Sequence, residues 1–131
     1  MLQKIYKSLN SYGAKLFKNY IKVKIPLVIW TNGDVLELKI KQSKDGFTVY
    51  CPTNIFLDAN EQGDQDFYVN IFEKHDKNYH YDIKIKNGKI YKNYQQEASV
   101  TVAINEFIRY YVMLDDFILK NDVIGNEQNF I

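Results

Sequence analysis

Three successive stretches in the first half of this 131-residue chain alternate between apolar and polar side chains, and that period of two limits the possible folds more than any other feature. Ile21, Val23 and Ile25 alternate with Lys22 and Lys24. Leu36, Leu38 and Ile40 alternate with Glu37, Lys39 and Lys41, and Phe47, Val49 and Cys51 with Thr48 and Tyr50. Successive side chains of a strand point to opposite faces, so each stretch reads as a strand with one apolar and one solvated side. Thr31-Asn32-Gly33-Asp34 separates the first two, and Asn-Gly is the strongest short hairpin signal because a type I′ turn needs positive φ at both central residues. Asp45-Gly46 separates the second and third, which predicts an antiparallel meander. Pro26 has no N–H to give a ladder and belongs at an edge or a bulge.

A second hairpin follows further on. Tyr79, Tyr81, Ile83 and Ile85 alternate with His80, Asp82, Lys84 and Lys86, turn at Asn87-Gly88, and return through Ile90 to Tyr94. Helical spacing occurs in three places. Leu2, Ile5, Tyr6, Leu9, Leu16, Phe17 and Tyr20 suggest an amphipathic helix of about five turns, with a candidate break at Ser11 to Gly13. Asp64 is a candidate N-cap for a helix carrying Phe67, Tyr68, Ile71, Phe72 and His75, while Ile55 to Gly63 reads as either a short helix or an ordered loop. Ser99 caps a closing helix whose Ala103, Ile104, Phe107, Ile108, Tyr111, Leu114 and Ile118 form one apolar stripe to about Asn121, followed by a frayed tail from Gly125. The expected fold is a single α+β domain over residues 1–131. It is a mainly antiparallel sheet of about five strands, a meander plus a hairpin, covered by N-terminal, middle and C-terminal helices.

Several function classes are disfavoured by composition. Net charge is only +1, from seventeen basic and sixteen acidic residues, so the chain has neither the strong basic excess of a general nucleic-acid binder nor the acidity of a DNA mimic. Arg109 is the only arginine; with the abundant Ile, Asn and Tyr, this lysine bias has the look of an AT-rich genome. A lone cysteine, Cys51, leaves no intrachain disulfide and no cysteine-based zinc cluster, and suits a reducing cytosol. The first seven residues lack the apolar run of a secretion signal, and the longest apolar stretch, Leu27 to Trp30, is far below the roughly twenty residues that span a bilayer. A cytoplasmic protein with no membrane contact is expected.

Catalytic constellations are hard to find. His75 and His80 stand five apart across a helix-to-strand junction, which is not a metal-ligand spacing. His75 suits a helix C-terminus, and His80 alternates outward on its strand. The glycines are single turn residues, so no phosphate-cradling loop is expected, and Cys51 has no evident histidine partner. Glu37-Leu38-Lys39 and Asp82-Ile83-Lys84 have the acid-x-Lys pattern of metal-dependent nucleases. Such a site also needs an earlier acid; Asp34 is too close, and Asp45 would have unusual spacing. No enzyme, cofactor or metal is expected.

The surplus lies in tyrosine, eleven in all. Tyr79, Tyr81, Tyr91, Tyr94, Tyr110 and Tyr111 exceed what a small core easily absorbs, and tyrosine favours protein interfaces because it offers large area and a hydrogen-bonding tip. Asp115 and Asp116 sit near a helix C-terminus, where the helix dipole disfavours them. Tyr91, Tyr94, Tyr110, Asp115 and Asp116 are therefore the candidate protein-binding residues.

The layout resembles a family of uncharacterised proteins from phages and bacterial mobile elements. Ile25-Pro26-Leu27 sits near that family's Thr-Pro-Phe-Leu strand end. Gly33 to Ile40 and Asp45 to Val49 look like its long strands, and Tyr81 to Gly88 is similar to its late hairpin. Ile104 to Ile108 through Leu114-Asp115-Asp116 is similar to its closing helix. The family's Thr-Asp-Asp-Gly turn falls at Cys51-Pro52-Thr53-Asn54, which has no carboxylate. The resemblance implies a non-catalytic accessory protein that binds and blocks a host protein, a defence component such as a CRISPR effector or another nucleoprotein complex included. The alternative is a nucleic-acid binder or degenerate nuclease. That alternative requires Lys22, Lys24, Lys39, Lys41, Lys84 and Lys86 to converge on one sheet face, with Glu37 or Asp82 among them.

Overall fold

The computed structural model describes residues 2–9, 13–28, 35–52, 65–86 and 89–129. Within them lies one α+β domain: a six-stranded, wholly antiparallel sheet and three helices. The elements are α1 (Leu2–Lys7), β1 (Ala14–Leu16), β2 (Tyr20–Val28), β3 (Val35–Ser43), β4 (Gly46–Tyr50), α2 (Gln65–Tyr79), β5 (Lys84–Lys86), β6 (Lys89–Gln95) and α3 (Val100–Asn129). Strand order is β1-β2-β3-β4-β6-β5, so the chain leaves the sheet after β4, passes through α2, and returns as a hairpin whose second strand docks on β4. The turns expected at 31–34 and 87–88, the segment 55–63 and the Asp64 cap fall outside the described residues.

The meander follows the alternation. Ile21, Val23, Ile25, Leu36, Leu38, Ile40, Phe47, Val49 and Cys51 are all buried in one cluster. The β2–β3 register shifts between Ile25 and Val28, so the ladder is irregular across Pro26 and Leu27. The second turn is Lys44-Asp45, and Gly46 is already the first residue of β4, paired with Gln95. A Cβ on Gly46 would run into the Tyr94 carbonyl oxygen and sit 2.8 Å from the carbonyl carbon of Gln95, so the glycine permits β6 to approach.

Three elements differ from their sequence reading. The N-terminal helix ends at Lys7, and residues 14–16 are a sixth strand instead of further helix. Gly13 takes a φ of +59°, a conformation that stops a helix, and Ala14 to Leu16 then pair with Val23 to Ile21. The Phe17 N–H donates to the Tyr20 carbonyl at 2.9 Å to close the turn. Leu16, Phe17 and Tyr20 fit a helical period and an edge hairpin equally well, and the free edge of β2 decides between them.

Tyr79 belongs to α2, and the strand that alternation predicts from Tyr79 starts only at Lys84. His80 (φ 56°) and Asp82 (φ 55°) adopt left-handed conformations, and the His80 N–H closes the helix end on the Asp76 carbonyl at 2.7 Å. His80 is thus a helix-terminating residue and not an outward strand position. The Asp76 carboxylate then accepts the Ile83 N–H at 3.1 Å and aims the chain into β5.

Helix α3 runs to Asn129, past the Asn121 expected, and the residues from Gly125 continue it. Ser99 caps it, its Oγ accepting the Val102 N–H at 3.3 Å. Ala103, Ile104, Phe107, Tyr110, Tyr111 and Leu114 enter the core, with Phe72 of α2 and the partly buried Leu2, Ile5 and Tyr6 of α1. All three helices therefore cover the same side of the sheet; the side chains of Ile71, His75 and Ile118 lie outside the described ones.

Candidate functional site

Once one side of the sheet is buried, period-two alternation sends the remaining strand residues to the other side. The pairing register aligns six of them in a single row across all six strands. Lys15 lies opposite Lys22, Lys22 opposite Lys39, Lys39 opposite Tyr50, Tyr50 opposite Tyr91, and Tyr91 opposite Lys84. At an interstrand spacing of about 4.8 Å, five steps make a row of roughly 24 Å. Lys24 and Lys41 flank it on β2 and β3, and Lys86 and Lys89 pair opposite each other on β5 and β6. The six lysines named from sequence do converge on one face, joined by Lys15 and Lys89.

Among the described strand residues of this face, Glu37 is the only carboxylate. It lies 3.0 Å from Lys22, both side chains remaining partly exposed. Asp82 is exposed in the loop before β5 and Asp45 in the β3–β4 turn, so the acids considered for a nuclease are not brought together. Among the described residues no three His, Cys, Asp or Glu side chains gather in a metal-binding group, and no helix is long and apolar enough to cross a membrane.

Aromatic rings intersperse the lysines. Phe17 stacks on Tyr20 at 4.8 Å between centroids, and the Lys39 ammonium sits 4.7 Å from the Tyr20 ring. Burial, with a smaller contribution from Tyr20, raises the Tyr50 phenol above its ordinary value, so it stays neutral at physiological pH. Around Tyr50 and Tyr91 lies a concavity of about 450 Å³ lined also by Thr48, Asn93, Lys86 and Lys89. Thr48 Oγ1 donates to Asn93 Oδ1 at 2.6 Å across β4 and β6.

The residues proposed for protein binding are dispersed by the fold. Tyr91 lies on the lysine face, half-buried. Tyr94 points the other way, stacked on Phe47 at 5.2 Å and donating to Glu106 Oε1 at 3.1 Å. Tyr110 is fully buried, edge-on to Phe72 and Tyr81, and offers a partner no surface. Much of the tyrosine surplus is thus core: Tyr111 is fully buried too, and Tyr81 partly, its hydroxyl 2.9 Å from the Met113 sulfur. Asp116 is exposed on α3, and the Asp115 side chain lies outside the described ones.

Helical spacing in the sequence places Lys15 and Tyr20 in a helix, and no local pattern aligns Tyr50 with Tyr91. The lysine-x-lysine repeats were the visible signal. In comparisons with known proteins, no family model matches this chain, and no curated protein or solved structure matches it.

Proposed function

We propose that this protein binds nucleic acid across the exposed face of its sheet. The observation that carries the reading is the six-strand row Lys15–Lys22–Lys39–Tyr50–Tyr91–Lys84. Like charges directly opposite on neighbouring strands repel, so this placement works against the sheet's own stability. Short lysine-bearing edges protect a sheet from pairing with other chains, which accounts for Lys15 on β1 and for Lys84 and Lys86 on β5. It does not account for Lys22, Lys24, Lys39 and Lys41, which occupy internal strands. A linear array of cations matches the repeating phosphates of a nucleic-acid backbone, and the near-zero net charge conceals it because the acids lie elsewhere.

The test is anisotropy of labelled DNA and RNA oligonucleotides over a salt series. Binding that weakens linearly in log–log form, by roughly 0.7 per phosphate engaged on a single strand, supports the reading. Retention of that affinity in a Lys22→Glu, Lys39→Glu, Lys84→Glu triple variant overturns it, as does absence of binding at low salt.

A second reading has its own observation. Val102 (62% exposed) and Val112 (48%) recur with exposed Asn105, Arg109 and Asp116 at helical steps on the solvent side of α3. Apolar groups in such a stripe suit a protein partner, as the phage-accessory resemblance implies. A host-lysate protein retained by the wild type and lost in a Val112→Asp, Asp116→Lys variant supports it; equal retention by both counts against it.

A further inference from the structure

One half of the lysine row has a chemistry beyond charge. Lys15, Lys22 and Lys39 are cations alone, but the row then continues through two phenol rings directly opposite each other, Tyr50 on β4 and Tyr91 on β6. These rings border the open concavity of about 450 Å³, room enough for a base with its sugar to lie on the sheet. Its rim carries Lys86 and Lys89, facing each other across the β5–β6 pair. Thr48 occupies Asn93 Oδ1, leaving the Asn93 amide nitrogen as the donor available to an incoming carbonyl.

We infer that the open concavity over β4 and β6 is a base-stacking subsite and that the ligand is a single strand, one of whose unpaired bases lies against Tyr50 and Tyr91. This rests on the nucleic-acid reading above. A ring stacked on tyrosine must first be out of a helix, because duplex bases already stack on one another. Size points the same way. The row is roughly 24 Å across, against a major groove about 12 Å wide that admits a two-stranded ribbon, so the flat of the sheet fits a duplex only where a groove is deformed. A single strand can lie along the row, with phosphates on Lys22, Lys39 and Lys84 and a base laid against the two rings. Asn93 Nδ2 then donates to a base carbonyl, which favours thymine, uracil, guanine or cytosine over adenine.

The experiment compares four labelled probes of equal length: single-stranded DNA, single-stranded RNA, duplex DNA and an abasic sugar-phosphate strand. Stacking of one base contributes about a 5–150-fold change in affinity. We expect both single strands to bind tighter than duplex and abasic strand by at least the lower end of that range. Tyr91→Ala should remove the advantage and Tyr91→Phe should keep it, since the phenyl face suffices. Equal affinity for all four probes, lost only in the lysine variant, overturns the base subsite while leaving the electrostatic reading intact. Absence of binding to every probe overturns both. Because the abasic strand leaves the protein unaltered, the comparison holds even where a tyrosine variant fails to fold. A preference for RNA over DNA, or the reverse, reports contact with the sugar and supports the subsite only if the abasic strand binds weakly.

Discussion

On the covered side of the sheet, Lys92 of β6 lies 2.6 Å from Glu106 of α3 and donates as well to the Tyr81 carbonyl at 2.7 Å. On the exposed side, Lys89 of the same strand faces Lys86, and the row of Lys15, Lys22 and Lys39 meets Glu37 as its only carboxylate among the described strand residues. One lysine has been given two acceptors because a partly buried cation is costly without them. The others stay in contact with water, which screens their repulsion and leaves them available to an external anion. The same residue type therefore does structural work on one side of the sheet and is poised for binding on the other.

That contrast is open to direct attack. The largest effect is expected on the covered side, where Phe107 is fully buried at the centre of the core. Phe107→Ala should cost about 3–5 kcal/mol in urea unfolding, a large share of the roughly 5–15 kcal/mol typical of a domain. A loss below about 1 kcal/mol would mean that α3 does not cover the sheet as described. Gly46→Ala should cost roughly 1–3 kcal/mol, because the added Cβ meets the backbone of β6 and not a side chain that can turn aside.

Removing one carboxylate from each side sharpens the comparison further. Glu106→Ala strips Lys92 and Tyr94 of a shared acceptor and should cost about 1–3 kcal/mol. Glu37→Ala breaks an exposed pair and should change stability by less than about 1 kcal/mol, while tightening oligonucleotide binding. Equal destabilisation by the two would erase the distinction between the sides. Smaller still, Lys39→Ala should leave stability within about 0.5 kcal/mol, weaken binding for all sequences, and lower the salt slope by about one.

Alkaline pH probes the covered side most strongly, since Tyr50 on the exposed face is also held above its ordinary value but is less buried. Burial, then the nearby Glu106 charge and its hydrogen bond, hold the Tyr94 phenol above the ordinary value of 10.0. Burial, then Asp76 and Tyr81, do the same for Tyr110. Above pH 10 the unfolded chain releases protons that the folded chain keeps. This contribution to stability is therefore intact below about pH 10 and is lost as pH climbs further. Urea midpoints should fall more steeply between about pH 10 and pH 11 than between about pH 8 and pH 9, and Tyr94→Phe should flatten the fall.

The strands of the meander and the phase of α3 were legible because their signals are local. Leu36, Leu38 and Ile40 alternate whatever lies beside them, and Ala103, Phe107, Tyr111 and Leu114 share a helix face by spacing alone. Ala14 to Tyr20 were not legible: seven residues with four apolar ones fit either period, and only hydrogen bonds from β2 favoured the strand. Tyr110 looked like a surface residue because its neighbours Phe72 and Tyr81 are remote in sequence.

The sequence by itself determined that Lys22, Lys24, Lys39, Lys41, Lys84 and Lys86 would each lie opposite an apolar face, since alternation is a property of the extended backbone. Only the tertiary structure decided that they share one face and align with Tyr50 and Tyr91. That alignment depends on β6 docking beside β4 after an excursion of more than thirty residues, in the register that sets Tyr50 against Tyr91. A slip of one residue in that pairing would turn Tyr91 inward and Ile90 outward. What forbids it is burial of Ile90 and Tyr94 against the core, an interaction between segments that no local pattern encodes.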